Sequence, residues 1–136
     1  MILKYLAGGK MKQAIAGDAG FDIYSLEDCE ISPMEQKWIS TGLFVEIPQG
    51  FAGIVKEKSG LAGKGLMLGA GVIDSNYRGE VKVLARNFSR GAMKIEKDQK
   101  IAQFLFIRVE IPEIKEVEKL SDTERGSGGF GSTGLK

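Results

Sequence analysis

The chain has 136 residues, 43% of them hydrophobic and 27% charged, with a formal net charge of +1. That suits one domain with an ordinary core and lacks the bulk charge that draws a protein to nucleic acid or an acidic membrane, so neither is expected as a partner. It contains no histidine and one cysteine, Cys29; the commonest general base and zinc ligand are missing, an internal disulfide is excluded, and any proton work falls to carboxylates and water.

In chain order, Ile2 to Leu6 reads as an opening strand. No signal-peptide pattern opens at Met1 and no run is long enough to span a bilayer, which with the lone thiol fits a reducing, cytoplasmic setting, a host cell's included. Phe21-Asp22-Ile23-Tyr24-Ser25 alternates apolar and polar, as a half-buried strand does. Asp22 is either a solvated strand position or a carboxylate kept for a metal-phosphate group. Strands are expected over Lys37 to Ser40, Leu43 to Ile47 and Ala52 to Lys56, with Pro48-Gln49-Gly50 as a turn. Ser59-Gly60-Leu61-Ala62-Gly63-Lys64-Gly65 is either a plain glycine-rich connector or a place where bare N–H groups meet an anion beside Lys58. It lacks the spacing of a Walker-type phosphate loop.

Gly71-Val72-Ile73 runs out, Asp74 to Gly79 turns, and Glu80-Val81-Lys82-Val83-Leu84 runs back, which predicts a hairpin with a long tip. The tip carries Asp74, Tyr77 and Arg78; these are either turn formers and a strand cap or a nucleotide site. Ile101-Ala102-Gln103-Phe104-Leu105-Phe106-Ile107 reads as a strand whose single amide needs partners, since burying it unsatisfied costs about 1–3 kcal/mol. Ile114, Val117 and Leu120 are read as a last strand. The tail from Arg125 to Gly134 sets one ring, Phe130, among glycines with Ser132 and Thr133 behind it. It is either a linker or a lid that stacks on a base. No helix shows an amphipathic period, and about ten short strands predict an all-β sandwich or barrel, with a domain over residues 1–121 and an arm over 122–136.

Five blocks stand out in order. They are Ala19 to Ile23, Lys58-Ser59-Gly60-Leu61-Ala62, Gly71-Val72-Ile73-Asp74 through Tyr77-Arg78-Gly79, Ile101-Ala102-Gln103, and Arg125-Gly126 through Phe130-Gly131-Ser132-Thr133-Gly134. Together they resemble the trimeric dUTPases. The resemblance implies a β-clip, jelly-roll-like barrel, a homotrimer with sites at subunit contacts, and Mg²⁺-dependent cleavage of dUTP to dUMP and pyrophosphate. It implies that Asp74 activates the attacking water and that Tyr77 packs on deoxyribose. The backbone of Gly71, Val72 and Ile73, with Lys82, would bond the uracil edge. Lys58, Ser59, Gly60 and Gln103 would hold phosphates, and Asp22 would meet the metal through water. Arg125, Phe130, Gly131, Ser132 and Thr133 would form the closing arm. Two departures are visible. Glu57-Lys58 stands where the family usually has Pro-Arg, and lysine cannot make arginine's two-pronged contact. Asp98-Gln99-Lys100 replaces the usual Gly-acid-basic run. The alternative is a dCTP deaminase of the same fold, told apart by ammonia release.

Overall fold

The computed structural model describes residues 1–129. Twelve short strands and one helical turn follow each other in the order β1 (Lys4–Tyr5), β2 (Met11–Lys12), β3 (Phe21–Tyr24), β4 (Cys29–Ile31), β5 (Gln36–Ile39), β6 (Val45–Glu46), β7 (Phe51–Glu57), α1 (Ser59–Ala62), β8 (Leu66–Gly69), β9 (Val72–Ile73), β10 (Val83–Asn87), β11 (Met93–Ile95) and β12 (Lys100–Arg108). The chain is all-β and jelly-roll-like, as its turn-punctuated short apolar runs demand. The four-residue α1 is the exception to an expectation of no helix. One turn is too short for any amphipathic period to show in the sequence.

Every ladder is antiparallel. The largest sheet runs β2-β3-β12-β7-β9, and a second runs β5-β10-β8, with the pairs β1-β6 and β4-β11 beside them. Ile23, Ile31, Ile39, Leu43, Ile47, Val55, Leu66, Val81, Val83, Ile95, Ile101 and Phe104 fill the space between the sheets. Phe104 and Phe106 lie 4.6 Å apart by ring centroids, and Phe21 meets Phe106 edge-on at 6.0 Å. Gly53, opposite Phe106 on β7, makes room for this cluster, because a Cβ there would fall 2.3 Å from the Phe104 ring.

Two expectations fail. Ile114, Val117 and Leu120 form no strand; they lie in irregular chain after β12, and Ile114 is 93% exposed. Their spacing of three does not match a strand's period of two, and no sheet edge among the described residues pairs with them. Nor do residues 71–82 form a hairpin. β9 pairs with β7, whereas β10 pairs with β5 and β8, and no ladder joins the two arms among the described residues. The chain leaves the three-stranded sheet after β8, adds two residues to the five-stranded sheet, and returns. Ala70 at φ 56° and Gly71 at φ 103° make the first switch. Only glycine fits at 71, since a Cβ would sit 2.7 Å from the Val55 carbonyl oxygen, while the Val55 N–H donates to the Gly71 carbonyl at 2.8 Å.

Candidate active site

Where the two arms part, a cleft of about 500 Å³ opens, lined by Trp38, Ala70, Gly71, Val72, Ile73, Asp74, Tyr77, Glu80 and Lys82. Its size is that of a small-molecule site. The residues singled out at the tip, Asp74 and Tyr77, and those singled out for the base edge, Gly71, Val72, Ile73 and Lys82, therefore share one cavity. The arms do not bond each other, so the cleft opens between them, while each is paired elsewhere, β9 with β7 and Glu80 with Phe44. Asp74 is exposed at the rim; its carbonyl accepts the Tyr77 N–H at 3.1 Å, and its carboxylate has no hydrogen-bond partner among the described residues. The Arg78 guanidinium turns back to the carbonyls of Ser75 and Tyr77, both at 2.8 Å, and braces the tip.

A second group forms at one end of the five-stranded sheet. Asp22 on β3 faces Gln103 on β12, which in turn faces Lys56 on β7. Asp22 is buried, and the Lys58 ammonium donates to its Oδ1. The Lys100 ammonium pairs with Oδ2 at 2.8 Å. Burial pushes the Asp22 carboxyl up, but the Lys100 and Lys58 ammoniums outweigh it and hold the carboxyl below the usual carboxylate range. Gln103 meets its need for a partner by donating from Nε2 to the Glu57 carbonyl at 2.9 Å. Gly20 leaves room for it, as a Cβ there would lie 2.7 Å from Gln103 Oε1.

The Glu57 carboxylate turns away from this group. It accepts the Leu68 N–H at 3.1 Å and pairs with Lys56 at 3.0 Å, tying β7 to β8. Its own N–H and that of Leu68, with Lys56, keep its carboxyl low despite burial. Replacing proline by glutamate before Lys58 thus adds a strap, not a charge aimed at the lysine. Lys58 caps α1, and Ser59 and Gly60 are exposed in its first turn, where amides lack intrahelical acceptors.

The two groups do not share a cavity in this chain: Asp22, Lys58, Ser59, Gly60 and Gln103 are absent from the cleft lining. Arg125 is exposed in the tail, its Nε donating to the Gly128 carbonyl at 2.9 Å. Phe130, Gly131, Ser132 and Thr133 lie outside the described residues. Three cleft residues, Ala70, Trp38 and Glu80, were not singled out from the sequence. Trp38 is there because β5 pairs with β10, setting Trp38 opposite Leu84, and nothing near it in the sequence signals that contact. Glu80 is there because its carboxylate is drawn to the Thr41 and Gly42 amides nearly forty residues away.

Among the described residues no three His, Cys, Asp or Glu side chains gather as a metal cage, and no helix is long and apolar enough to cross a membrane. The donor set fits a divalent cation that arrives on phosphate oxygens with its own waters, touching the protein at one carboxylate. Among the described residues the buried carboxylate is Asp22, and to meet such a cation it would exchange its contacts with Lys58 and Lys100.

Comparison with known proteins completes the description. The family model for dUTPase matches residues 10–134. The chain is 52% identical over 119 residues to the deoxyuridine 5'-triphosphate nucleotidohydrolase of Nautilia profundicola, covering 85% of this chain and 84% of that one. It is 49% identical over 121 residues to the enzyme of the same name from Clostridium kluyveri, covering 87% and 85%. A solved structure of the Staphylococcus bacteriophage 80alpha dUTPase G164S mutant with dUpNHpp superposes with a TM-score of 0.91 at 29% identity, over 98% of this chain and 99% of that one. With a family match over most of its length and relatives at about half identity, the chain belongs to the dUTPase family.

Proposed function

We infer that the protein is a dUTP diphosphatase, splitting dUTP into dUMP and pyrophosphate. The observation that carries the assignment of roles is the double arm of residues 70–82, whose two halves pair with other strands and not with each other and so bound a cleft with the Asp74 carboxylate at its rim. Uracil's edge is a short row of acceptor, donor and acceptor, which peptide N–H and C=O groups can match as a neighbouring strand would. The backbone of Gly71, Val72, Ile73 and Lys82 supplies that row. Thymine's methyl would collide with the narrow cleft, and cytosine would bring a donor to a donor. Tyr77 offers its ring to the sugar.

Asp74 orients a water for in-line attack on the α-phosphorus. The new P–O bond forms as the bond to the bridging oxygen breaks, pyrophosphate leaves, and the water's proton passes to the Asp74 carboxylate. Such a reaction needs positioning and charge neutralisation more than a strong base, which suits a chain without histidine. Lys58, with the amides at Ser59 and Gly60, and Gln103 hold phosphate oxygens; a triphosphate would draw Lys58 away from Asp22. Bound Mg²⁺ neutralises phosphate charge, and Asp22 is the residue to hold it through water. Since the phosphate group and the base cleft are separate in one chain, a homotrimer that brings one subunit's group to another's cleft accounts for both. The arm from residue 122 onward, with Arg125 and Phe130 to Thr133, closes over the nucleotide. A reducing, cytoplasmic setting suits the single cysteine.

The test is direct. Incubation of the pure protein with Mg²⁺ and each deoxynucleoside triphosphate in turn should give dUMP and pyrophosphate from dUTP alone. Release of ammonia from dCTP would move the assignment to deamination.

A further inference from the structure

Glu80 lines the cleft, and nothing in the proposed chemistry uses it. It is the best-fastened residue there. Its Oε1 accepts the N–H groups of Thr41 at 3.0 Å and Gly42 at 2.9 Å. Its main chain bridges Phe44, and the next N–H, that of Val81, donates to the Leu43 carbonyl at 2.8 Å. The segment it grips is rigid in turn: Thr41, Gly42 and Leu43 are buried, and the Thr41 hydroxyl donates to the Val81 carbonyl while accepting the Leu43 N–H. At its other end, the Glu80 carbonyl accepts the Tyr77 hydroxyl at 3.0 Å. The Tyr77 phenol lies against Gly79, where a Cβ would fall 2.3 Å from the hydroxyl oxygen. Tyr77 itself is 42% exposed, so these contacts, and not burial, give its ring one seat.

We propose that Glu80 is a positioning residue: anchored through its carboxylate on the Thr41–Gly42 amides, it holds its carbonyl where that carbonyl fixes the Tyr77 hydroxyl and so aims the ring into the cleft. The inference rests on the dUTP reading above and adds the residue on which its sugar discrimination depends. The chemistry needed is one oxygen with two lone pairs facing two amides, which a glutamine side chain also supplies. The Lys82 ammonium, 3.6 Å from the other carboxylate oxygen, makes a long, half-exposed ion pair that adds little, so charge is not the anchor. Removing the side chain leaves two buried donors without an acceptor and frees the arm to shift.

Glu80→Ala, Glu80→Gln, Tyr77→Phe and the double variant Glu80→Ala/Tyr77→Phe test this in the full chain. Rates on dUTP and UTP are measured beside the affinity for dUpNHpp, read from the fluorescence of Trp38, the sole tryptophan, which lines the cleft. Glu80→Ala should raise KM for dUTP and narrow the preference for dUTP over UTP, each by about tenfold, with a smaller change in kcat. Glu80→Gln should stay within about twofold of wild type, as its carbonyl keeps both bonds. Tyr77→Phe should narrow the preference as well, and the double variant should fall no further than the worse single one, because both act through one link. An unchanged preference in Glu80→Ala, or losses in Glu80→Gln as large as in Glu80→Ala, would overturn the proposal. If Glu80→Ala does not fold, Tyr77→Phe decides: a preference equal to wild type sinks the link, and a narrowed one with an intact Glu80→Gln upholds it. Wild type that leaves dUTP uncut overturns the activity reading itself, and this proposal with it.

Discussion

The cleft at residues 70–82 and the Asp22–lysine group are built from opposite materials. The cleft is a matter of backbone path: it opens because β9 and β10 belong to different sheets, and its bend rests on Ala70 and Gly71 at positive φ. The lysine group is a matter of charge: a buried carboxylate held by two ammoniums, one on the neighbouring strand β12 and one at the helix cap. A site of the first kind is intolerant of small displacements and indifferent to salt. One of the second kind tolerates small shape changes but answers to pH and ionic strength. Chemistry that must read a base and also neutralise a triphosphate has use for both.

The largest effect should come from the cleft. Asp74→Asn should lower kcat on dUTP by about 10³-fold or more, while dUpNHpp still quenches Trp38 fluorescence with near wild-type affinity. Equal losses of binding and rate would mean that Asp74 shapes the cleft instead of aiming water. Ending the chain after Asp122 should cost about a hundredfold in rate and leave the thermal midpoint unchanged, since the described part of the removed arm is hydrogen-bonded only within itself. A truncated protein with full activity would dismiss the arm as a lid.

Gly71→Ala sharpens the contrast further. Its Cβ would press on the Val55 carbonyl at a φ alanine resists, so unfolding free energy should drop by about 2–4 kcal/mol, measured by denaturant titration. Lys58→Ala should be milder, raising KM about tenfold with little change in stability, and it should flatten the salt dependence of KM. If Gly71→Ala proved silent and Lys58→Ala unfolded the protein, the division between a backbone site and a charge site would be wrong.

The smallest effect is one of pH. The Asp22 carboxyl is held below its ordinary value in the folded chain. Its ion pairs therefore contribute stability that is fully present above the unfolded value of about 3.9 and is lost as pH falls through the lower, folded one. The wild-type thermal midpoint should fall as acid protonates Asp22, and Asp22→Asn should lack that part of the slope. Parallel acid limbs in the two proteins would show that other carboxylates carry it.

Much was legible in the residues themselves. Phe21 to Ser25 and Ile101 to Ile107 announced strands by pattern, and Gln103 announced a partner because an amide in such a run must have one. Asp74 and Tyr77 stood out as polar and aromatic groups on a long turn. Glu80 and Trp38 did not, because each reaches the cleft through contacts across the fold: Glu80 through Thr41 and Gly42, Trp38 through β10. Glu57 looked like a charge beside a phosphate site until its bond to Leu68 turned it away.

What residues 71–82 are by themselves is two extended arms about a polar turn, and local rules of chirality, propensity and turn chemistry are enough to say so. That the arms part was decided by tertiary structure alone. β9 found β7 and β10 found β5 and β8; burial holds β10, whereas β9, with Val72 67% exposed, is held mainly by its ladder to β7. A hairpin closes on itself, whereas two arms drawn into different sheets leave a cleft between them. The difference lies in partners remote along the chain, which no local pattern records.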